Sequence, residues 1–465
     1  MKTKTEVAFA AGAVAVLFAV LALALTNSEL SAVAGVAALP LLAWWLNRRH
    51  FNAMYLSPTL VASGFFFLIG VLGYALRDVL VSLQGRGSSI NIWLSEGQSF
   101  STFLLLMTFS AVTIFTSGII LRIRFGAGEA PKSLDWSTQG PKAVTVLLSA
   151  VPLLVIVADI GIPDILLRDS YLFASQGSFT GSIGTSLAAG MIVVLGYFFG
   201  STSGPKRALV LVLFLGYATV LFSMGSRRLA LIPILFAVGS FVARNSRITR
   251  FGVVVGAGLT ALLLPLSLTF RASLTHGVIP YFESAATFRF ADADWWASIN
   301  NVLVSFPIIG ATAYGNLTIY ASDLWISLNP ISGDSAGWYE IAPRLRLNAY
   351  TPTAGIGELA NVGWVPVVLF AIALGALLSW VEIAVRRHLL GGSRIFAALL
   401  IGLTGFFALQ MVQYNLRSAV RMLVYLVVAE LARRAAVFFL RRPSRRDREQ
   451  AAFAERIGAA LRNAD

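Results

Sequence analysis

Two adjacent arginines, Arg227 and Arg228, follow Gly225-Ser226 on the short connection between two apolar runs, Ala208–Met224 and Leu229–Val242. A guanidinium fork binds phosphate in a bidentate way and keeps its charge at any relevant pH, so the pair suits a diphosphate presented at headgroup depth. Arg271 and Arg417 also stand at ends of apolar runs, at the same depth. Snorkelling to ordinary headgroups is the competing reading for each of them. The acids able to act as a general base are Asp292, Asp294, Asp334, Glu340 and Glu358, and spacing alone favours none of them. Trp295 and Trp296 follow Asp292-Ala293-Asp294, a grouping that can stack on a sugar ring and accept hydrogen bonds from its hydroxyls. An aromatic belt at the membrane interface would use the same residue types.

The elements that position these residues must be membrane helices. With 57% hydrophobic and 12% charged residues over 465 positions and a mean hydropathy of +0.77, no soluble fold could hide so much apolar surface. A helix needs about 20 apolar residues to cross a bilayer core. Twelve segments reach or approach that length: Val7–Thr26, Ser31–Leu46, Pro58–Leu76, Ser99–Leu121, Val144–Ile160, Gly184–Phe199, Ala208–Met224, Leu229–Val242, Phe251–Phe270, Val362–Val385, Ile395–Tyr414 and Ala419–Phe439. The first is too long, and too closely followed by the second, to be a cleaved signal peptide. The expected class is an all-α polytopic membrane protein with about 12 transmembrane helices.

Charge sets the orientation. With the amino terminus inside, every second loop carries a basic cluster: Arg48-Arg49, Arg122 to Lys142, Lys206-Arg207, Arg244 to Arg250, Arg386 to Arg394, and the tail from Arg433 onward. The lysines all fall inside, and both termini are expected in the cytoplasm by the positive-inside rule. The formal net charge of +14 therefore marks cytoplasmic loops, and nucleic acid is not an expected partner. Zero cysteines exclude thiolate sites, and His50, His276 and His388 are too far apart in sequence to suggest a metal centre. No metal and no cofactor is expected.

The chain then reads as one membrane domain over residues 1–440, with a large outside loop over 271–361 between spans 9 and 10, and a basic tail over 441–465. That loop, about 90 residues long, is rich in Trp and Tyr and is expected to be ordered and functional. Within it Val302–Ala313, interrupted by Pro307, is too short to span and should be re-entrant or surface-lying. In the tail, Phe453, Ile457 and Leu461 after the arginine cluster have the spacing of an amphipathic helix on the anionic inner leaflet.

The end of the large loop carries a resemblance. Thr351-Pro352, Gly357-Glu358 and Asn361-Val362-Gly363, in the stretch from Tyr350 to Pro366, resemble the "TP…GE…N-hG" segment of Wzy-type polysaccharide repeat-unit polymerases. The Gly225-Ser226-Arg227-Arg228 turn and Asn415-Leu416-Arg417-Ser418 are similar to two other recurring places of that family, and the three patches cover about a tenth of the chain. Arg344 to Gly355 and Arg346 to Gly357 fit the arginine-to-glycine spacing that some members carry in a periplasmic loop.

What the resemblance implies is a metal-independent, GT-C-like glycosyltransferase of the bacterial inner membrane, with the large loop in the periplasm. It would transfer a growing glycan from undecaprenyl diphosphate to a new lipid-linked repeat unit, for O-antigen, capsule or exopolysaccharide. Donor and acceptor lipids, bulk membrane lipids and a chain-length regulator are the expected partners. On this view Arg227, Arg228, Arg271 and Arg417 hold the diphosphate, Glu358 and Tyr350 serve the acceptor side, and Arg344, Arg346, Trp295, Trp296, Asp292 and Asp294 bind substrate. For Glu358 a plain structural reading competes, as an acid at the helix start of the tenth span. An O-antigen ligase would use a loop histidine, for which His276 is the outside candidate. A lipid-linked oligosaccharide flippase or other transporter would place charges inside its helices.

Overall fold

The computed structural model describes residues 28–51, 57–82, 92, 94–125, 143–170, 179–225, 228–244, 246–293, 295, 298, 304–331, 333, 335–348, 351–390 and 394–440. The first apolar run, Val7–Thr26, and the tail over 441–465 lie outside them, as do Arg227, Asp294, Trp296 and Tyr350. Among the described residues the fold is all-α. There is no sheet, only two isolated β-bridges, Arg168 with His276 and Arg346 with Pro352.

The helices fall on the apolar runs. In order they are α1 (Ser28–Asn47), α2 (Pro58–Ala75), α3 (Glu96–Phe125), α4 (Ala143–Ile160), α5 (Phe179–Ser201), α6 (Pro205–Ser223), α7 (Arg228–Ala243) and α8 (Arg247–Ala272). The large loop contributes α9 (Val278–Thr287), α10 (Ser305–Tyr314), α11 (Ala321–Leu328) and α12 (Gly355–Val362), and the chain closes with α13 (Trp364–Leu390), α14 (Arg394–Gln413) and α15 (Leu416–Leu440). Among the described residues seven helices are long and apolar enough to cross a membrane: α2, α3, α4, α6, α8, α13 and α14. The protein is a multi-pass membrane protein.

Local chemistry sets the helix boundaries. Ser57 caps α2 by accepting from the Leu60 amide, with Pro58 at the first helical position, where its missing N–H costs nothing. Ser246 and Thr249 form a reciprocal capping box at the start of α8. Helix α4 breaks at Ser149 because Pro152 cannot donate to the turn before it. At the break, the Ser149 carbonyl accepts from the Tyr217 hydroxyl of α6 at 2.9 Å.

The chain divides into two compact units, Met1–Leu423 and Val424–Asp465. In the first, α2, α3, α13 and α14 form the centre, where Phe66 meets Phe109 edge to face at 5.3 Å and Phe407 at 6.4 Å. Helices α5 and α7 approach until their backbones nearly touch: a Cβ on Gly239 would lie 2.0 Å from the Val193 carbonyl oxygen. Such small-residue contact is how helices associate in lipid, where the hydrophobic effect between them vanishes. In the second unit Glu430 pairs with Arg433 at 2.9 Å and Arg434 at 2.8 Å along one helical face.

Helix α10 corrects half of an expectation. It does not lie on a surface: Phe306, Ile308, Ile309 and Ala313 are all buried, packed by α2, α3, α12 and α14. Its end is tied down by Gln98 Nε2 donating to the Tyr314 carbonyl at 2.9 Å.

Candidate functional site

The residues singled out by sequence are built into two places. The first is the turn between α6 and α7. Gly225 takes a φ of +58°, a left-handed conformation that costs an L-residue roughly 1–2 kcal/mol, and its Cα faces the Tyr281 ring. Tyr281 is buried, stacks on Phe270 at 4.5 Å and shares a 2.7 Å hydrogen bond with His276 Nδ1. Arg168 pairs with His276 through both backbone groups and donates through Nη2 to the Ser223 carbonyl at 2.8 Å. That bond caps the end of α6, where carbonyls lack helical partners. The chain entering the arginine pair is therefore held from two sides, by Tyr281 and by Arg168.

Burial, with the Arg168 charge second, lowers the His276 pKa, so the imidazole is neutral at pH 7. Only 5% of His276 is exposed. A histidine so enclosed is poorly placed for the ligase role weighed from sequence. Arg228 opens α7 and Arg271 lies in the last turn of α8, while the placement of their side chains falls outside the described residues, as does all of Arg227.

Gly225→Ala tests this turn. A Cβ there would come within 2.5 Å of the Tyr281 hydroxyl, in a backbone conformation that already disfavours it. The expected result is a melting free energy lowered by about 2 kcal/mol, with Tyr281→Phe partly relieving the overlap. An unchanged melting curve for Gly225→Ala would show the turn is free to move.

The second place joins the end of the large loop to the start of α15. Asn415 caps α15, its Oδ1 accepting from the Ser418 amide at 3.0 Å and the Ser418 hydroxyl at 2.8 Å. Arg417 is 2% exposed. Its guanidinium donates to the carbonyls of Ile326 at 3.0 Å and Asn329 at 2.8 Å, and to that of Ile331, while lying over the Trp338 ring at 5.3 Å. This corrects the expectation for Arg417. Its fork holds the segment after α11, and both terminal nitrogens are engaged by those carbonyls rather than held out for a diphosphate.

Glu358 is likewise corrected as a base touching the acceptor, because it is wholly buried. Its Oε2 accepts from the Leu416 amide at 3.2 Å, so the acid does serve a helix start, but that of α15 rather than α13. Its Oε1 lies 2.5 Å from the Thr353 hydroxyl, which also donates to the Leu345 carbonyl at 3.2 Å. One hydroxyl hydrogen cannot serve both acceptors. A protonated Glu358 resolves the conflict by donating to Thr353, which then donates to Leu345. Burial pushes the Glu358 pKa up to about 8, with Thr353 and Leu416 pulling the other way.

The sign of the linkage follows. The folded pKa of about 8 lies above the ordinary 4.5, so stability is greatest below pH 4.5 and falls as pH rises towards 8. The slope is at most about 1.4 kcal/mol per pH unit. Glu358→Gln, a neutral isostere, is expected to match the wild type near pH 5 and to melt higher at pH 9. Parallel melting curves across that range would mean that Glu358 is ionised in the fold.

The remaining motif residues also brace this region. Asn361 donates to the carbonyls of Thr312 and Leu317, both at 2.9 Å, and accepts from the Ile319 amide at 3.0 Å. Thr312 accepts from the Ala354 amide at 3.2 Å. Asp323, buried, binds the Tyr320 amide at 3.0 Å and pairs with Arg344 at 3.1 Å. One connected framework thus holds Arg344, Arg417 and Glu358, two of them internally. What it presents outward is Arg344 and Arg346, with Tyr320, Trp325 and Tyr339 exposed beside them.

Trp295 is placed elsewhere, its Nε1 donating to the Phe290 carbonyl at 3.2 Å, and Asp292 ends the short turn Phe290–Asp292. The framework roles of Thr353, Thr312 and Asp323 and the helix-capping role of Arg168 were missed from the sequence. A Thr-x4-Glu spacing ahead of a span was the available signal for Thr353. No protein-family model, no curated protein and no solved structure matches this chain.

Proposed function

We propose that the protein is a polysaccharide repeat-unit polymerase of the Wzy type in a bacterial inner membrane. On this reading it has twelve spans, both termini are cytoplasmic and the large loop is periplasmic. The observation that carries the proposal is the turn that leads into Arg227-Arg228, fixed at Ser223 and Gly225 by Arg168 and Tyr281, ahead of two permanent charges with no acid beside them in sequence. The rest is supported by the charge alternation of the loops and by the three motif patches.

The proposed chemistry divides the labour. A hydroxyl oxygen of the incoming repeat unit attacks the anomeric carbon of the donor glycan. The bond to the diphosphate breaks, and its electron pair leaves on undecaprenyl diphosphate. Arg227 and Arg228, with Arg271, stabilise that growing negative charge. Tyr350, next to Thr351 in sequence, is the candidate to take the proton that the attacking hydroxyl loses. Arg344, Arg346, Trp325 and Tyr320 offer a stacking and hydrogen-bonding face for sugar. Glu358 and Arg417 position this face and touch no substrate.

Transport of the lipid-linked oligosaccharide is the second reading, favoured by Glu382, an acid buried within the spanning helix α13. Deleting the gene separates the readings. A polymerase mutant is expected to keep single repeat units attached to lipid or core and to lose the polymer ladder. Polymer left on undecaprenyl diphosphate with undecorated core would identify a ligase, and repeat units confined to the cytoplasmic face would identify a flippase.

A further inference from the structure

Away from the large loop, the last turns of α1, α3 and α13 meet the start of α2, and arginines gather there. His50, 7% exposed, sits in the turn Arg48–His50 that follows α1. Burial, then the charges of Arg122, Arg386 and Arg49, lower its pKa. Arg386 donates through Nη2 to the His50 carbonyl and lies over the Phe125 ring at 4.8 Å, while Arg48 lies over Trp45 at 5.3 Å. Glu382 is the acid whose charge reaches Arg386, and it accepts from the Ser57 hydroxyl at 2.8 Å. Beneath, Ala43, Phe51, Leu60, Ile114 and Leu121 form an apolar floor.

Helix C-termini attract cations, which accounts for arginines at these ends. It does not account for nitrogens left unmatched. His50 Nδ1 and Arg386 Nε are both shut off from solvent, and neither has a hydrogen-bond partner among the described residues. Buried polar atoms in folded proteins are almost always paired, so two orphans inside a cluster of like charge point to an anionic acceptor. The exposed Arg49 and Arg122 stand where they can close over it. The helix surfaces alongside carry exposed Leu42, Leu46 and Ile123, a surface for acyl chains.

We infer that this cluster binds the phosphate of an anionic membrane lipid, with Arg386 Nε and His50 Nδ1 as inner contacts and Arg49 and Arg122 as outer ones. Inorganic phosphate shares that chemistry, but the apolar floor and flanks favour a lipid. The site is independent of the reaction proposed above.

The test uses the full-length protein, delipidated in a non-ionic detergent and titrated separately with phosphatidylglycerol, phosphatidylcholine of the same acyl chains, and inorganic phosphate. Melting is followed by tryptophan fluorescence and bound lipid by native mass spectrometry. Phosphatidylglycerol alone is expected to bind and to raise the melting temperature. The exposed pair Arg49→Gln/Arg122→Gln should weaken that binding by on the order of tenfold. His50→Phe, which removes an inner nitrogen while keeping an apolar ring, should weaken it as well. Equal response to phosphatidylcholine, or an unchanged response in the double variant, would overturn the site. A matching response to inorganic phosphate that the same variants abolish would overturn its assignment to a lipid.

Discussion

Arg417→Ala is expected to leave little folded protein. Three carbonyls after α11 depend on that one guanidinium, and hydrogen bonds to a charged group are worth roughly 1.5–3 kcal/mol each. Allowing for relaxation of the segment, a loss on the order of 4 kcal/mol is a large part of the stability of any domain. Arg417→Lys should recover only part of it, because an ammonium lacks the planar fork that reaches several carbonyls at once. Extraction as a monodisperse species and thermal melting provide the readout. If Arg417→Ala melts like the wild type and fails only in polymer formation, the guanidinium serves substrate and the framework role is wrong.

The arginine pair should behave in the opposite way. Arg227→Ala and Arg228→Ala are expected to melt close to the wild type while polymer formation falls about ten- to a hundredfold, the equivalent of one charge-assisted bond strengthened in the transition state. Lysine should substitute poorly at whichever arginine contacts the diphosphate directly. A normal polymer ladder from both alanine variants at normal membrane levels would make the pair a headgroup anchor. The contrast with Arg417 is the informative part. One arginine is spent on the fold, and the other two are assigned to the substrate.

The role of Arg417 was not legible in the sequence. Arg417 stands at the edge of an apolar run, and local chemistry reads it as a headgroup or phosphate arginine. What fixes it is tertiary: the carbonyls that capture Arg417 come from 86 to 91 residues earlier in the chain. Glu358 was misread for the same reason, since its helix-capping target, the Leu416 amide, lies 58 residues away. An acid just ahead of a span suggests the span that follows, not a helix two further on. The helices themselves were legible because an apolar run of bilayer length admits few other structures. So was the presence of structure in the large loop, from its Trp and Tyr content, although Tyr320, Trp325 and Tyr339 stay exposed. Helix α10 was half legible. Its short run and Pro307 excluded a span, but only the packing shows that it is enclosed by α2, α3, α12 and α14.

The most direct test of the central claim is reconstitution. Purified protein in proteoliposomes is supplied with undecaprenyl-diphosphate-linked repeat units taken from the deletion strain, and products are separated by size. The account predicts a ladder of lipid-linked glycans growing by whole repeat units, with one undecaprenyl diphosphate released for each bond formed and no requirement for added metal. Repeat units recovered at their original length, whether left in place or moved across the bilayer, would contradict it.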